Sequence, residues 1–462
     1  MSRMIGLVLA GVIAGTLAFL SIGLFSPTVE AIPAFARKTG LACSACHEVW
    51  PRLSDFGVNF RDRGYRLKRD RDAPVEQDPT YWPLTFRTTV GYQYLRSTLV
   101  PTDANGTITT QTGTFGFTGL DVWTAGTLGD RLSFAITYTP GLASTGFQLS
   151  GNAGSGDLES AWIGYNDVIE NWLNFRVGKH ALDLPIDEHR QITLTSGYNV
   201  YHFQPQGTAV SFQPGNNQAG VEMYGHSEYS RVRYSVSLVN ERDSAFFSNN
   251  AISNPVVWAH FTAEQYLDND FLAAVKGGVF GSVGWHPTGG LTCSPAATGA
   301  TTPGCTPIGA IGANNVIQGS GFNHARHYSY GAEGHLQFLS TINPLTITGI
   351  VWGNYQDKEL IANATQDAKW FGGLVEGVYT LNPRLSFIGR YERIRTTQSG
   401  DPTQPLALGD LTSYTGAIRH TFELTSRAEA ALQLEVTRLR HDAGDGTVPD
   451  QIIGLAAADF TF

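Results

Sequence analysis

The sequence predicts an all-β fold: an antiparallel outer-membrane β-barrel of about 16 strands, with a small N-terminal helical segment plugging or capping the lumen. Three observations predict it. From Pro83 onward, segments of about ten residues alternate apolar with polar side chains, separated by Gly, Asn and Asp breaks. The connections alternate short and long, as periplasmic turns and external loops do. The final segment, Ala458-Asp459-Phe460-Thr461-Phe462, ends in Phe with aromatics at alternate positions, like the strand that outer-membrane barrels present to their assembly machinery.

Residues 1–31 read as an export signal. Arg3 is the positive start, Met4 to Phe25 is an uncharged, mostly apolar run, and Ser26-Pro27-Thr28-Val29-Glu30-Ala31 has the small-residue form of a cleavage site. The mature chain is then expected to start near Ile32. A retained transmembrane anchor is the other reading, because the run is long enough to cross a bilayer. A net charge of −9 argues against nucleic-acid binding, which needs a basic footprint. The mean hydropathy of −0.12 looks soluble, but a membrane barrel hides its apolar residues at alternate positions and the average misses them.

Residues 32–82 form a second segment, which contains Cys43-Ser44-Ala45-Cys46-His47. C-x-x-C-H is the attachment motif of c-type haem. The two thiols add across the porphyrin vinyl groups, and the following His lies under the iron as its proximal ligand. The motif therefore predicts one covalent haem c, held by Cys43 and Cys46 and ligated by His47. A thioredoxin-like dithiol, half a zinc site or a Cys43–Cys46 disulfide needs only the C-x-x-C. The adjacent His, the export signal and the lack of a second C-x-x-C weigh against the first two, which leaves a simple disulfide as the remaining alternative. Further on, Gly57 and Gly64 punctuate two short helical stretches. Trp50, Leu53, Phe56 and Phe60 fall at helix-like spacing, either as an apolar cover for a haem or as a plain mini-core. About fifty residues bury a haem poorly alone, so the rest of the chain is expected to enclose it. Cys293 and Cys305, with eleven residues between them in a Gly/Thr/Pro-rich stretch, lack an adjacent His and are expected to close a loop as a disulfide.

Residues 83–462 make the barrel. The expected strands are 83–99, 113–126, 131–140, 157–168, 174–182, 218–227, 231–241, 255–266, 272–286, 326–338, 344–357, 368–379, 385–396, 411–422, 427–440 and 451–462. Their number is even, as in single-chain bacterial barrels. Tight turns at 128–130, 227–230, 267–270, 381–383 and 425–426 alternate with longer joints at 100–112, 141–156, 183–217, 287–325 and 397–410. The run from Gly178 to Tyr201 gathers Asp183, Asp187, Glu188, His189 and Arg190. In an external loop these carboxylates would collect Fe(II), which oxygen and imidazole ligands suit. Solvated or folded into the lumen, they would instead pair with lumen arginines, and this reading is favoured. Met223 shares a strand face with Val221, while Glu222, Tyr224 and His226 share the other. The polar set belongs in the lumen, which turns Met223 to the lipid. The sixth ligand of a haem is thus expected to be a His, a weaker donor or absent, with His180, His189, His202 and His226 as the pool.

With both parts in view, the chain resembles the fused cytochrome–porins of the bacterial outer membrane, whose best-known members are iron-oxidising monohaem cytochromes. The match is carried by Pro33-Ala34-Phe35-Ala36-Arg37-Lys38-Thr39-Gly40 running into Cys43 to His47, then by Phe56-Gly57 and Gly64-Tyr65. The barrel matches in architecture and length. The resemblance implies that Cys43 and Cys46 bind haem, that His47 ligates it, and that the segment plugs or caps the lumen. It further implies electron transfer across the outer membrane, from an extracellular donor such as Fe(II) to a periplasmic carrier such as a soluble c-type cytochrome. An Fe(II)-oxidising protein of the oxidoreductase class is the enzymatic form of that expectation. Two other functions fit the same residues: a diffusion porin whose haem segment is a regulatory or sensory plug, and a periplasmic cytochrome anchored by a barrel.

Overall fold

The computed structural model describes residues 35, 39, 41–67, 83–99, 108–140, 157–195, 197–205, 208, 210, 212–241, 255–269, 271–288, 291–293, 305–307, 316–318, 323–338, 344–361, 364–382, 384–399, 410–425, 428–441 and 450–461. The expected export signal and the terminal Phe462 lie outside them. No helix among the described residues is long and apolar enough to cross a membrane.

The barrel is closed and antiparallel. Ahead of it come α1 (Cys43–Cys46), a small hairpin of β1 (His47–Val49) and β2 (Arg52–Leu53), and α2 (Asp55–Asp62). The wall then runs through β3 (Leu84–Leu99), β4 (Ile108–Leu128), β5 (Leu132–Thr139), β6 (Asp157–Asn171), β7 (Leu173–His180), β8 (Gln218–His226), β9 (Val232–Asn240), β10 (Pro255–Tyr266) and β11 (Leu272–Thr288). Three short strands, β12 (Leu291–Cys293), β13 (Cys305–Pro307) and β14 (Val316–Gln318), form a separate small sheet. The wall resumes with β15 (Asn323–Phe338), β16 (Leu345–Gln356), β17 (Ala368–Asn382), β18 (Leu385–Gln398), β19 (Leu411–Thr425), β20 (Ala428–His441) and β21 (Asp450–Thr461). The last strand closes on the first, with Ala457 opposite Gly91 and Thr461 opposite Arg87. These are the sixteen expected wall strands, several of them longer at one end.

Alternation sets which face is which. On β8, Val221 is 44% exposed while Glu222 is 2% exposed. Phe115, Ile163, Val177, Phe261, Val279, Phe371, Leu434 and Val436 also point outward. Inward and buried are Glu222, His260, Glu333, Glu376, Arg390, Arg419, Gln433, Glu435 and Asp459. A closed, even-stranded wall satisfies every backbone group internally, and its apolar outer face suits lipid. This is an outer-membrane β-barrel, and its short turns mark the periplasmic end.

The N-terminal segment is a plug inside that end. Asn59 donates to the Glu228 carbonyl (2.9 Å), Arg66 donates to the Asp130 carbonyl (2.8 Å), and Arg66 pairs with Asp167 (2.9 Å). All three acceptors sit at the short-turn end of β4, β6 and β8. The fold of the plug differs from two plain helical stretches, because Trp50 and Leu53 belong to the β1–β2 hairpin. Gly57 lies within α2 rather than at a break. A Cβ there would sit 2.1 Å from the Cys46 carbonyl oxygen, so glycine lets α2 pack directly on α1. Ser54 caps α2 by accepting from the Gly57 amide (3.2 Å). Gly64 ends it at φ 67°, the left-handed conformation that favours glycine at a helix C-terminus.

Asp62, at the end of α2, pairs with Arg233 of β9 (2.8 Å) and with Arg61 (2.9 Å). Burial alone would raise its carboxyl; Arg233 and Arg61 outweigh this and hold it at about 2, below its ordinary 3.8. Its contribution to docking is therefore complete above pH 4 and is lost as pH falls towards 2. Acidification through that window should expose the plug to an acid-tolerant protease, and Asp62→Asn should expose it already at neutral pH. Equal resistance of parent and variant throughout would remove Asp62 from the docking.

Candidate functional site

The connection from β7 to β8, residues 181–217, is open to two readings; its described residues do not project outward but fold into the lumen as a strap. Leu182, Leu184, Ile186, Tyr201 and Phe212 join a buried apolar cluster with the inward-facing Trp258, Phe280, Trp352 and Trp370. Ring contacts such as Tyr201–Trp352 (5.5 Å) and Phe280–Trp352 (4.7 Å) knit it to the wall. Wall carboxylates hold its backbone: Glu435 accepts from the amides of Leu194 (2.7 Å) and Thr195 (2.9 Å), and Glu392 from that of Val200 (2.7 Å). Asp183 pairs with Arg233 (3.0 Å) and His260 (3.1 Å), Asp187 with Arg61 (3.6 Å), and Glu188 with His202 (2.7 Å). These acidic residues form ion pairs with lumen and plug groups, the second of the two arrangements open to them.

Plug and strap meet. Val49 of the plug and Ile192 of the strap share one buried cluster with the wall residues Val378, Ile388 and Ala417. Between the two lies a cavity of about 350 Å³, within the size range of ligand and cofactor sites. Cys43, Cys46 and His47 line it together with Trp50, Leu53, Phe56 and Phe60, the four apolar residues singled out by spacing. A neighbouring cavity of about 470 Å³ shares His47, Trp50, Leu53 and Arg190 with it.

The residues present fit a covalent haem. α1 brings Cys43 and Cys46 one turn apart on the cavity wall, and they are not joined to each other. The His47 Nδ1 lies 3.1 Å from the Pro51 carbonyl oxygen, to which it donates as N–H. That bond fixes the tautomer and leaves Nε2 as the ligating nitrogen, the usual arrangement of a metal-binding imidazole. Burial, helped by Arg190, pushes His47 down to about 4, so the ring is neutral at physiological pH. Burial also pushes the Cys46 thiol up. Five arginines line the cavity: Arg61, Arg87, Arg176, Arg190 and Arg233. They offer guanidinium partners for the two propionates that any haem carries.

Of the histidines in the ligand pool, His189 lines this cavity; His180, His202 and His226 do not. Met223 lies on the Val221 face of β8, opposite in sense to the buried Glu222, Tyr224 and His226. Glu159, Arg190 and Glu222 also line the cavity. Sequence reading missed Glu159, which carries no motif and reaches the site only through the fold. In the small sheet, Cys293 stands directly opposite Cys305 in the β12–β13 register.

No protein-family model matches the sequence. No curated protein matches it either. Among solved structures it is similar in overall form to outer-membrane barrels. OprB of Pseudomonas putida is 11% identical with a TM-score of 0.47, covering 90% of this chain and 99% of that one. An anion-selective porin from Comamonas acidovorans is 9% identical with a TM-score of 0.48, covering 82% and 99%. OmpT of Vibrio cholerae is 11% identical with a TM-score of 0.42, covering 82% and 98%. Likeness at this level is one of overall form alone.

Proposed function

We propose that this barrel carries one c-type haem between plug and strap and relays electrons across the outer membrane, from an extracellular donor, Fe(II) by the resemblance, to a periplasmic carrier such as a soluble c-type cytochrome. The observation that carries the reading is the His47 ring, tethered through Nδ1 to the Pro51 carbonyl in a cavity it shares with Cys43 and Cys46. When bound, the haem supplies a one-electron couple. The chain does the rest. Cys43 and Cys46 anchor the group, His47 orients it, and Trp50, Leu53 and Phe60 keep water from it. The strap narrows the lumen from the external side, so that electrons and not solutes would cross.

The test uses oxidised protein in liposomes, oriented with the long loops outward. External Fe(II) should reduce the haem, followed by absorbance, and a cytochrome enclosed inside should then be reduced in turn. A haem that a generic reductant reduces but Fe(II) leaves oxidised removes iron as the donor. A haem reduced only by reagents on the short-turn side removes the relay and leaves the anchored cytochrome.

A second reading keeps the barrel as a diffusion porin with the haem segment as a regulatory plug. The polar lumen wall and the neighbouring cavity of about 470 Å³ favour it, as does a plug held by side-chain contacts. Steady ion conductance of the intact protein in planar bilayers would decide for it. Separately, Cys293 and Cys305 are proposed to form a disulfide in the external joint. Directly opposed Cα atoms in an antiparallel pair fall within disulfide reach, and the small closed ring contributes about 2–3 kcal/mol of local order. Mass mapping without reductant should recover the two cysteines in one linked peptide, and two unmodified thiols would refute the link.

A further inference from the structure

We infer that His189 is the second axial ligand of the haem iron and that Glu159 positions it. The inference rests on the haem reading above and adds a strap residue that lines the same cavity as His47. His189 belongs to a 3-10 turn, Glu188–Arg190, that dips from the strap into the cavity lined by Cys43, Cys46 and His47. Its neighbour Arg190 lines both this cavity and the adjoining one, as His47 does.

Three observations converge on His189. Its Nδ1 lies 3.1 Å from Oε1 of Glu159 on β6, which gives the carboxylate–histidine pairing that orients ligating imidazoles. Its Nε2 is buried and has no hydrogen-bond partner among the described residues. A buried ring nitrogen left without a partner costs stability unless something else occupies it. The backbone of the turn is fixed from the other side, since the His189 amide donates to the Asp187 side chain (3.1 Å) and Asp187 pairs with Arg61 of α2 (3.6 Å). The plug that carries the thiols thus also sets the position of the strap histidine.

The competing histidines lack one or more of these features. His335 lines the second cavity beside His47, but both of its ring nitrogens are engaged, by Glu333 (3.0 Å) and Thr348 (2.9 Å). His202 is held by Glu188 (2.7 Å) and lies off both cavity walls. His180 also has a buried, unpartnered Nε2, yet it lines neither cavity. Met223 shares the outward face of β8 with Val221.

Histidine on both sides of the iron gives a low-spin centre, and with an anionic carboxylate on the second imidazole the potential lies below that of a His/Met pair. The test uses the full-length protein with its haem attached, read by absorption, electron paramagnetic resonance and redox titration. The parent should be six-coordinate and low-spin in the oxidised state. His189→Ala should turn high-spin, and added imidazole should restore the parent spectrum. His189→Met should show the thioether-to-iron absorption band and a higher potential. Glu159→Gln should stay low-spin with a raised potential, a response that a purely structural role would not give. Met223→Leu should match the parent in both spectrum and potential. An unchanged low-spin spectrum in His189→Ala, or a spectrum lost instead in His202→Ala or His335→Ala, overturns the assignment while the haem reading stands. Absence of covalent haem from the parent itself is the separate failure of the haem reading.

Discussion

Replacing both Cys43 and Cys46 with Ala is expected to abolish covalent haem staining after denaturing electrophoresis while the barrel still assembles. Both thiols sit on α1, which contributes no strand to the wall. The closure of β21 on β3 and the ladder between them do not involve the plug. Barrel assembly, read as the mobility difference between unheated and boiled samples, should therefore be unchanged. Each single variant should keep one thioether and stain more weakly. His47→Ala should keep the stain, because attachment runs through the thiols, but alter the spectrum, because the imidazole that Pro51 fixes is gone. Undiminished staining in the double variant would falsify the attachment site.

The wall was legible in the sequence because one rule acts on every strand. Lipid outside and polar groups inside force period-two alternation, as in Val221, Glu222 and Met223, and the sixteen expected segments coincide with wall strands. The same rule left the apolar packing of the strap unread. Trp258, Trp352 and Trp370 face inward and are buried, but an aromatic on a strand reads the same way whether lipid or a folded-in loop covers it. The apolar residues of the strap, Leu182, Leu184, Ile186, Tyr198 and Tyr201, do alternate in places, but no strand contains them. Their partners lie on β10, β16 and β17, far away in sequence. At the site, Cys43, Cys46 and His47 were legible because the chemistry of attachment fixes their spacing along the chain. Glu159 was not, since its bond to His189 spans thirty positions and follows from barrel closure, not from local pattern.

The Glu376 carboxylate is expected to matter more to the filled lumen than any other single wall group named here. It sits on β17, is 2% exposed, and touches all three parts of the molecule at once. Arg52 of the plug hydrogen-bonds to its Oε1. The Tyr198 hydroxyl of the strap donates to its Oε2 (3.0 Å), and Arg390 of the wall lies 3.9 Å from the same oxygen. Arg390 also stacks over the Tyr198 ring at 4.5 Å, so the cation that faces the carboxylate also holds the strap's aromatic. Removing one member of such a buried set leaves its counter-charges uncompensated, at a cost of about 3–5 kcal/mol. Glu376→Ala should therefore loosen plug and strap together. Limited proteolysis at neutral pH should then cut both within 41–67 and within 181–217, and the protein should conduct ions in planar bilayers more readily than the parent. Glu376→Gln keeps an acceptor for Tyr198 but drops the charge facing Arg52 and Arg390, so it should show the same cuts more slowly. Cleavage confined to the plug would mean that Glu435 and Glu392 hold the strap unaided. Parent-like resistance in Glu376→Ala would mean that the three-way contact contributes nothing to closing the lumen.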